Sequence, residues 1–386
     1  MKKNKATSSA PDPFLRRNVL QTARKIVLKL GTKVLLSHHH DIDSGRMQKL
    51  VDDVAFFRQA GYTFSIVTSG AVGLGMNIMG LEKRPQDLKK IQALAAIGQN
   101  MLMQKWSAIF KKSNLRVGQI LLTYDVIENR KRFLYARDCL NTLIDYGIVP
   151  IVNENDSVAV DELKFGDNDL LSALTAHLMD ADLLVLFTDT DGLYDKNPHF
   201  SAEAKKISFL QEIDDSLFQS IQDSRNNLSL GGMRSKLMAA QLASRSGTGV
   251  VIANGFSPDL KGILKGENTG TFIKPVEKNL KNKKKWIFFN QKIKGKIFID
   301  RGAEDAVVHH RKSLLPGGVI RTEKQFDEGS VVGIFNQENR LIGKGISYFS
   351  SQDIEKIKGR KTSHIKTILG EGYYEEIIHR DNLIIL

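Results

Sequence analysis

The sequence predicts an α/β domain, a mostly parallel open sheet covered by helices on both faces, followed by a small β-rich C-terminal domain. Between residues 25 and 275, short β-branched runs alternate with stretches of helical periodicity. Parallel strands need crossover connections that lay helices over the sheet, so this alternation specifies the first domain. Beyond residue 295 the pattern changes to short alternating strands separated by Gly, Pro and Asn/Asp turns. A length of 386 residues with 41% hydrophobic side chains suits two domains, since one domain runs to roughly 100–200 residues.

Residues 1–24 are expected to be a disordered N-terminal extension. KIVLKL (25–30) is the first strand, ending at Gly31. Ser44 is a plausible cap for a helix with Met47, Leu50, Val51, Val54 and Phe57 at spacings of three and four, until Gly61 stops it. YTFSIV (62–67), a helix over 91–112, VGQILL (117–122), a helix over 131–146 closed by Gly147, and IVPIV (148–152) continue the alternation. Helices over 168–179 and 234–246 then interleave with LLVLF (183–187) and GVVIA (249–253). The α/β region is bounded at 25–275 and a Lys-rich linker at 276–294. The β-rich domain spans 295–372, with GKIFID, AVVHH, GGVI, SVVGIF and LIGKGISYF as strands and DIEKIKG and HIKTILG as short helices. Residues 373–386 form a C-terminal segment ending in strand-like EEIIHRDNLIIL.

The formal charge of +13 raises the question of a polyanionic partner, and its location answers it. Residues 1–25 carry seven Lys/Arg against one Asp, and residues 274–296 carry nine Lys against Glu277. Those two stretches exceed the whole surplus, and residues 297–386 hold thirteen basic and thirteen acidic side chains. Neither folded region is basic, which argues against a phosphate-tracking surface. No apolar run approaches the roughly 18 residues of a membrane span, and the first twenty residues lack the apolar stretch of a secretory signal. Cys139 is the sole cysteine, so no intramolecular disulfide forms. These features point to a cytoplasmic chain.

Chemistry is to be sought at the strand ends, because ligands of open α/β sheets bind beyond the carboxyl ends of the strands. After the first strand come Lys29, Gly31 and Thr32, a cation beside a glycine that lets backbone N–H groups approach an anion. After the second comes TSGAVGLGMNIMG (68–80), in which Ser69 and consecutive N–H groups suit carboxylate or phosphate oxygens; a tight strand-to-helix turn explains the same run. IVPIV leads into Asn153, Glu154, Asn155 and Asp156, polar residues whose burial is costly unless they meet a ligand or one another. In FGDNDLLSALTA, Asp167 or Asn168 caps a helix and Asp169 aims a carboxylate into the same region. LLVLF leads into Thr188, Asp189, Thr190, Asp191 and Gly192, either an Asp-Gly turn or a nucleotide contact. SLGGMRSK places Gly231 and Gly232 before a helix whose first turn holds Lys236, where dipole, N–H groups and ammonium all favour negative charge. His38, His39 and His40 are adjacent in a loop, with no Cys or Glu spacing that supports a zinc site.

In this order and at strand ends, KLGT, TSG, NEND, GDND, TD-x-x-GLY and GGM-x-SK resemble the amino acid kinase superfamily, and NEND with GDNDxLSA resembles the glutamate 5-kinases in particular. The resemblance covers residues 25–275 with the amino acid kinase fold and 295–372 with a PUA domain. It implies that Lys29 and Lys236 neutralise the phosphates of ATP and that Asp169 orients them. It implies that Thr188, Asp189 and the loop Leu230, Gly231, Gly232, Met233, Arg234, Ser235, Lys236 hold the nucleotide. Ser69, Asn153, Asp156 and Asn168 would hold L-glutamate. Leu230 departs from the family, which usually has a threonine there, so a hydroxyl contact to the nucleotide is either missing or supplied by Ser229. The resemblance further implies Mg²⁺ carried with ATP, inhibition by proline, a homo-oligomer, and RNA as a conceivable but disfavoured ligand of the PUA domain. Direct metal ligands stay unassigned. Neighbouring readings are a kinase acting on acetylglutamate, aspartate, carbamate or UMP, and an RNA-directed protein.

Overall fold

The computed structural model describes residues 13–37, 41–123, 126, 129–158, 168–195, 201, 203–214, 217–218, 232–276, 293–370 and 374–385. The chain divides into two units, Met1–Lys278 and Asn279–Leu386.

In the first unit, α1 (Pro13–Thr22) precedes β1 (Lys25–Leu30). This corrects the expectation of disorder for residues 13–24; residues 1–12 lie outside the described residues. Leu20 and Ala23 are buried, and the Arg16 guanidinium donates to the Ser208 carbonyl and to Asn268 Oδ1, each at 3.1 Å, as well as to the Thr269 carbonyl. Desolvation pushes the Arg16 pKa down to about 10.

Next come α2 (Thr32–Leu35) and α3 (Ser44–Gln59). The cap of α3 is Asp43, one residue before the predicted Ser44, because its carboxylate accepts from the Arg46 N–H at 3.0 Å. β2 (Thr63–Val67) leads into α4 (Ala71–Ile78), so most of the small-residue run is helix rather than loop. Gly70, at φ 101°, makes the left-handed turn between them. α5 (Leu88–Lys112) crosses α4 closely: a Cβ at Gly98 would strike the Ala71 carbonyl, and one at Gly75 the Leu94 carbonyl.

β3 (Val117–Leu122), α6 (Arg130–Asp145), β4 (Val149–Glu154), α7 (Asn168–Met179) and β5 (Leu183–Thr188) follow. β4 runs two residues past its predicted end, so Asn153 and Glu154 are strand residues. The short strands β6 (Leu193–Tyr194), β7 (Lys206–Ile207) and β8 (Phe209–Leu210), then α8 (Met233–Arg245), β9 (Gly249–Asn254), α9 (Leu260–Lys265) and β10 (Thr271–Ile273) complete the unit.

The main sheet runs β3-β4-β2-β1-β5-β9-β10-β8, parallel throughout except where β10 meets β9. Every residue of β5 is buried, as expected of a central strand covered on both faces.

The second unit is a five-stranded sheet of β11 (Gly295–Ile299), β12 (Val319–Glu323), β13 (Val331–Phe335), β14 (Leu341–Ile346) and β15 (Leu383–Ile385), in the order β12-β11-β13-β14-β15. Its helices are α10 (Arg301–Val308), α11 (Ser351–Ile357) and α12 (Ile365–Leu369). AVVHH, expected as a strand, lies at the end of α10, because Asp300 caps the Ala303 N–H at 2.7 Å and Val307 turns into the core. The segment from residue 374 belongs to this unit: Ile377 and Ile378 are buried, and β15 pairs with β14. The Lys-rich stretch over 277–292 lies outside the described residues.

Candidate active site

Alternation along β1 decides where its lysine goes. Ile26, Leu28 and Leu30 join the core with α3 and α5, so Lys29 points to the opposite face, over which α7 packs. There its ammonium pairs with Oδ1 of Asp169, the second residue of α7. Lys236, in the first turn of α8, lies 3.2 Å from Oδ2 of the same carboxylate, and the Ser235 hydroxyl donates to that oxygen at 2.7 Å. Lys29, Asp169 and Lys236 are 1%, 0% and 6% exposed. Two buried ammonium groups share this carboxylate, a concentration of positive charge suited to an anionic ligand.

α8 opens at Gly232 with no side-chain cap. Its first-turn N–H groups are therefore not taken by a capping side chain, the arrangement in which a helix receives a phosphate or carboxylate. Gly232, Met233, Arg234 and Ser235 fall at this turn as expected, while Leu230 and Gly231 lie outside the described residues.

Next to the lysines stands a cluster of amides. Asn168 Nδ2 donates to the Thr68 carbonyl and to Ser69 Oγ, each at 2.8 Å, and to Asn153 Oδ1 at 3.0 Å. Asn153 Nδ2 in turn donates to Gln99 Oε1 on α5 at 2.8 Å. The predicted Ser69, Asn153 and Asn168 are thus brought together, from the end of β2, from β4 and from the start of α7. Asp156 lies half-buried in the turn that follows β4. Trp106 of α5 fixes the floor by donating from Nε1 to Thr68 Oγ1 at 3.1 Å.

At the end of β5, Thr188 is buried and donates to Asp189 Oδ1 at 3.1 Å. Lys33, from α2, reaches Asp189 Oδ2 at 3.4 Å. Burial pushes the Asp189 pKa up, but the Lys33 charge, the residue's own backbone N–H and the Thr188 hydroxyl hold it below the usual carboxylate value.

Gln99 and Lys33 escaped the sequence reading. The signal for Gln99 is faint: a polar side chain directly after Gly98, beside the buried stripe Leu94, Ala95, Gly98 and Leu102. His38, His39, His40 and Asp167 lie outside the described residues. Among the described residues, no group of three or more His, Cys, Asp or Glu side chains could hold a metal ion, and no helix is long and apolar enough to cross a membrane.

The profile of the amino acid kinase family matches residues 24–254, and that of the PUA domain residues 295–369. The chain is 42% identical over 363 residues to the glutamate 5-kinase of Thermoanaerobacter sp. (strain X514), covering 94% of this chain and 98% of that one. It is 41% identical over 372 residues to the glutamate 5-kinase of Syntrophotalea carbinolica, covering 96% and 100%. With the glutamate 5-kinase of Moorella thermoacetica it shares 42% identity over 371 residues, covering 96% and 98%. With kinase and PUA regions both matched and the relatives covered almost end to end, this chain belongs to the amino acid kinase family, in its glutamate 5-kinase branch.

Proposed function

We propose that the chain transfers the γ-phosphoryl group of ATP to the side-chain carboxylate of L-glutamate, giving L-glutamyl 5-phosphate, the first step of proline biosynthesis. The observation that carries the reading is the buried carboxylate of Asp169, held by Lys29 on one oxygen and Lys236 on the other beside a cluster of substrate-sized amides. A side-chain carboxylate with a pKa near ~4.3 is ionised at neutral pH, so its attack on phosphorus needs no general base. The obstacle is the meeting of two anions. Lys29, Lys236 and the N–H groups at the start of α8 offset that repulsion, and they do so most where charge builds up on the transferring phosphoryl group.

Thr188, Asp189 and the loop from Leu230 to Lys236 hold the nucleotide; Ser69, Asn153, Asp156 and Asn168 hold glutamate; Asp169 keeps the two lysines in register. Asp169 is already committed to the lysines, and no residue is assigned to a metal. Mg²⁺ carried with ATP would supply charge screening at the phosphates, beside Lys29 and Lys236. Proline, which shares the α-carboxylate and ammonium of glutamate, inhibits by competing near the glutamate site. The enzyme works in the cytoplasm as a homo-oligomer.

The test is ADP release from purified protein with Mg-ATP, comparing L-glutamate with aspartate, acetylglutamate and UMP, with hydroxylamine present to trap an acyl phosphate. A hydroxamate formed with glutamate alone is the expected result. Turnover with a different acceptor and none with glutamate would overturn the substrate while leaving the fold intact.

A further inference from the structure

The amides beside the lysines form a relay whose polarity is set at one end. The Thr68 carbonyl only accepts, so the Asn168 atom 2.8 Å from it is the NH₂ group. That same Nδ2 then donates to Asn153 Oδ1, which turns the NH₂ of Asn153 toward Gln99 and makes the facing atom of Gln99 its oxygen. The two N–H hydrogens of Asn168 are shared among three acceptors, the Thr68 carbonyl, Ser69 Oγ and Asn153 Oδ1, and this assignment orients the amides along the relay.

The consequence lies at the two ends. Asn168 Oδ1, an acceptor, and Gln99 Nε2, a donor, are buried and have no hydrogen-bond partner among the described residues. Such atoms are rare in folded chains because each gives up hydration without replacement. A buried donor without a partner suits an anionic group such as the α-carboxylate of an amino acid. Asn168 is the neighbour of Asp169 and hence lies next to the reacting centre. Gln99 is two hydrogen bonds further along the relay.

We propose that Gln99 is a specificity-determining residue whose Nε2 donates to the α-carboxylate of the substrate. Gln99 owes its place to Gly98, where the close crossing of α5 on α4 admits no Cβ. The proposal rests on glutamate being the acceptor and refines how it is held.

Gln99→Glu isolates the claim. The substituted side chain keeps an oxygen to accept from Asn153 Nδ2, so the relay survives, but it replaces the free donor by a second carboxylate oxygen that repels the α-carboxylate. The probe pair is L-glutamate and L-isoglutamine, which keeps the ammonium and the γ-carboxylate but carries an α-carboxamide able to donate to the introduced carboxylate. Dissociation constants of both are measured by calorimetry on the full chain, for the parent and for Gln99→Glu, together with kcat and KM for glutamate and for ATP. The parent should prefer glutamate. In the variant that preference should fall by roughly a hundredfold or more, with glutamate KM raised at least about tenfold and ATP KM unchanged. A variant that weakens both ligands by the same factor, or neither, overturns the proposal, since loss of packing alone cannot distinguish carboxylate from carboxamide. A parent that turns over no glutamate defeats the reading of the substrate instead, and the two failures are told apart before the variant is made.

Discussion

The ammonium of Lys236 lies 3.2 Å from Oδ2 of Asp169, a contact between α8 and α7 in which both side chains are buried. Lys29 holds the other oxygen from β1. One carboxylate therefore ties three elements together at the point where phosphoryl transfer is proposed. Asp169→Asn removes the negative charge that both buried ammonium groups share. It should cost about 3–5 kcal/mol of stability and lower kcat by orders of magnitude. Urea unfolding and initial rates at saturating substrates check both, and a variant as stable as the parent would show that the lysines do not depend on this carboxylate.

The proposed division of roles predicts different kinetic signatures for two substitutions. Lys236→Ala removes charge that acts most strongly on the transferring phosphoryl group, so kcat should drop roughly a hundredfold or more. Asp156→Ala, in the turn after β4, should mainly raise KM for glutamate and leave KM for ATP near the parent value. Steady-state kinetics with each substrate varied in turn decides the matter; equal losses of kcat and KM in both variants would erase the distinction.

The crossing of α4 and α5 predicts a stability effect with a functional echo. A methyl group at Gly98 would meet the Ala71 carbonyl and the Gly75 backbone nitrogen, and backbone cannot step aside as a side-chain tip can. Gly98→Ala should therefore destabilise by about 1–3 kcal/mol, the usual cost of overpacking. It should also raise KM for glutamate, because Gln99 and Trp106 ride on the same helix and contact Asn153 and Thr68. Thermal unfolding and glutamate kinetics on one preparation test the pair.

What was legible in the sequence follows from where information is local. Lys29, Asn153, Asp169 and Lys236 stand out because each is a polar residue at the margin of an apolar run, and burying such a group demands a partner. The runs of β1, β3 and α7 were read to the residue because their patterns are uninterrupted. Arg16 and α1 were missed since their partners, Ser208, Asn268 and Thr269, are more than 190 residues away, and no local pattern announces such a contact. AVVHH was misassigned because β-branched residues favour strands only weakly, and the cap at Asp300 outweighs that preference. Gln99 reads as one more solvent-facing helical residue until α5 is laid across α4.

Lys33 and Asp189 predict a pH dependence with a definite sign. The Asp189 pKa is held below its ordinary value, with the Lys33 charge the largest of the effects that lower it against the opposing pull of burial. A carboxylate depressed on folding contributes stability above its unfolded pKa, near ~3.9, and loses that contribution as pH falls through the folded value. The pair should therefore help at neutral pH and fade in acid. Both side chains are more than a third exposed, at 72% and 37%, which limits the pair to the range of surface ion pairs, about 0.2–1 kcal/mol. Lys33→Ala should lose that fraction at pH 7, with the deficit shrinking toward zero as pH falls through the folded pKa of Asp189. At about 1 M salt, where the screening length falls to about 3 Å, the deficit at pH 7 should shrink as well. Urea unfolding of parent and variant across this range measures it. A deficit that persists unchanged in acid would mean that Lys33 contributes through packing of its stem and not through the charge of Asp189.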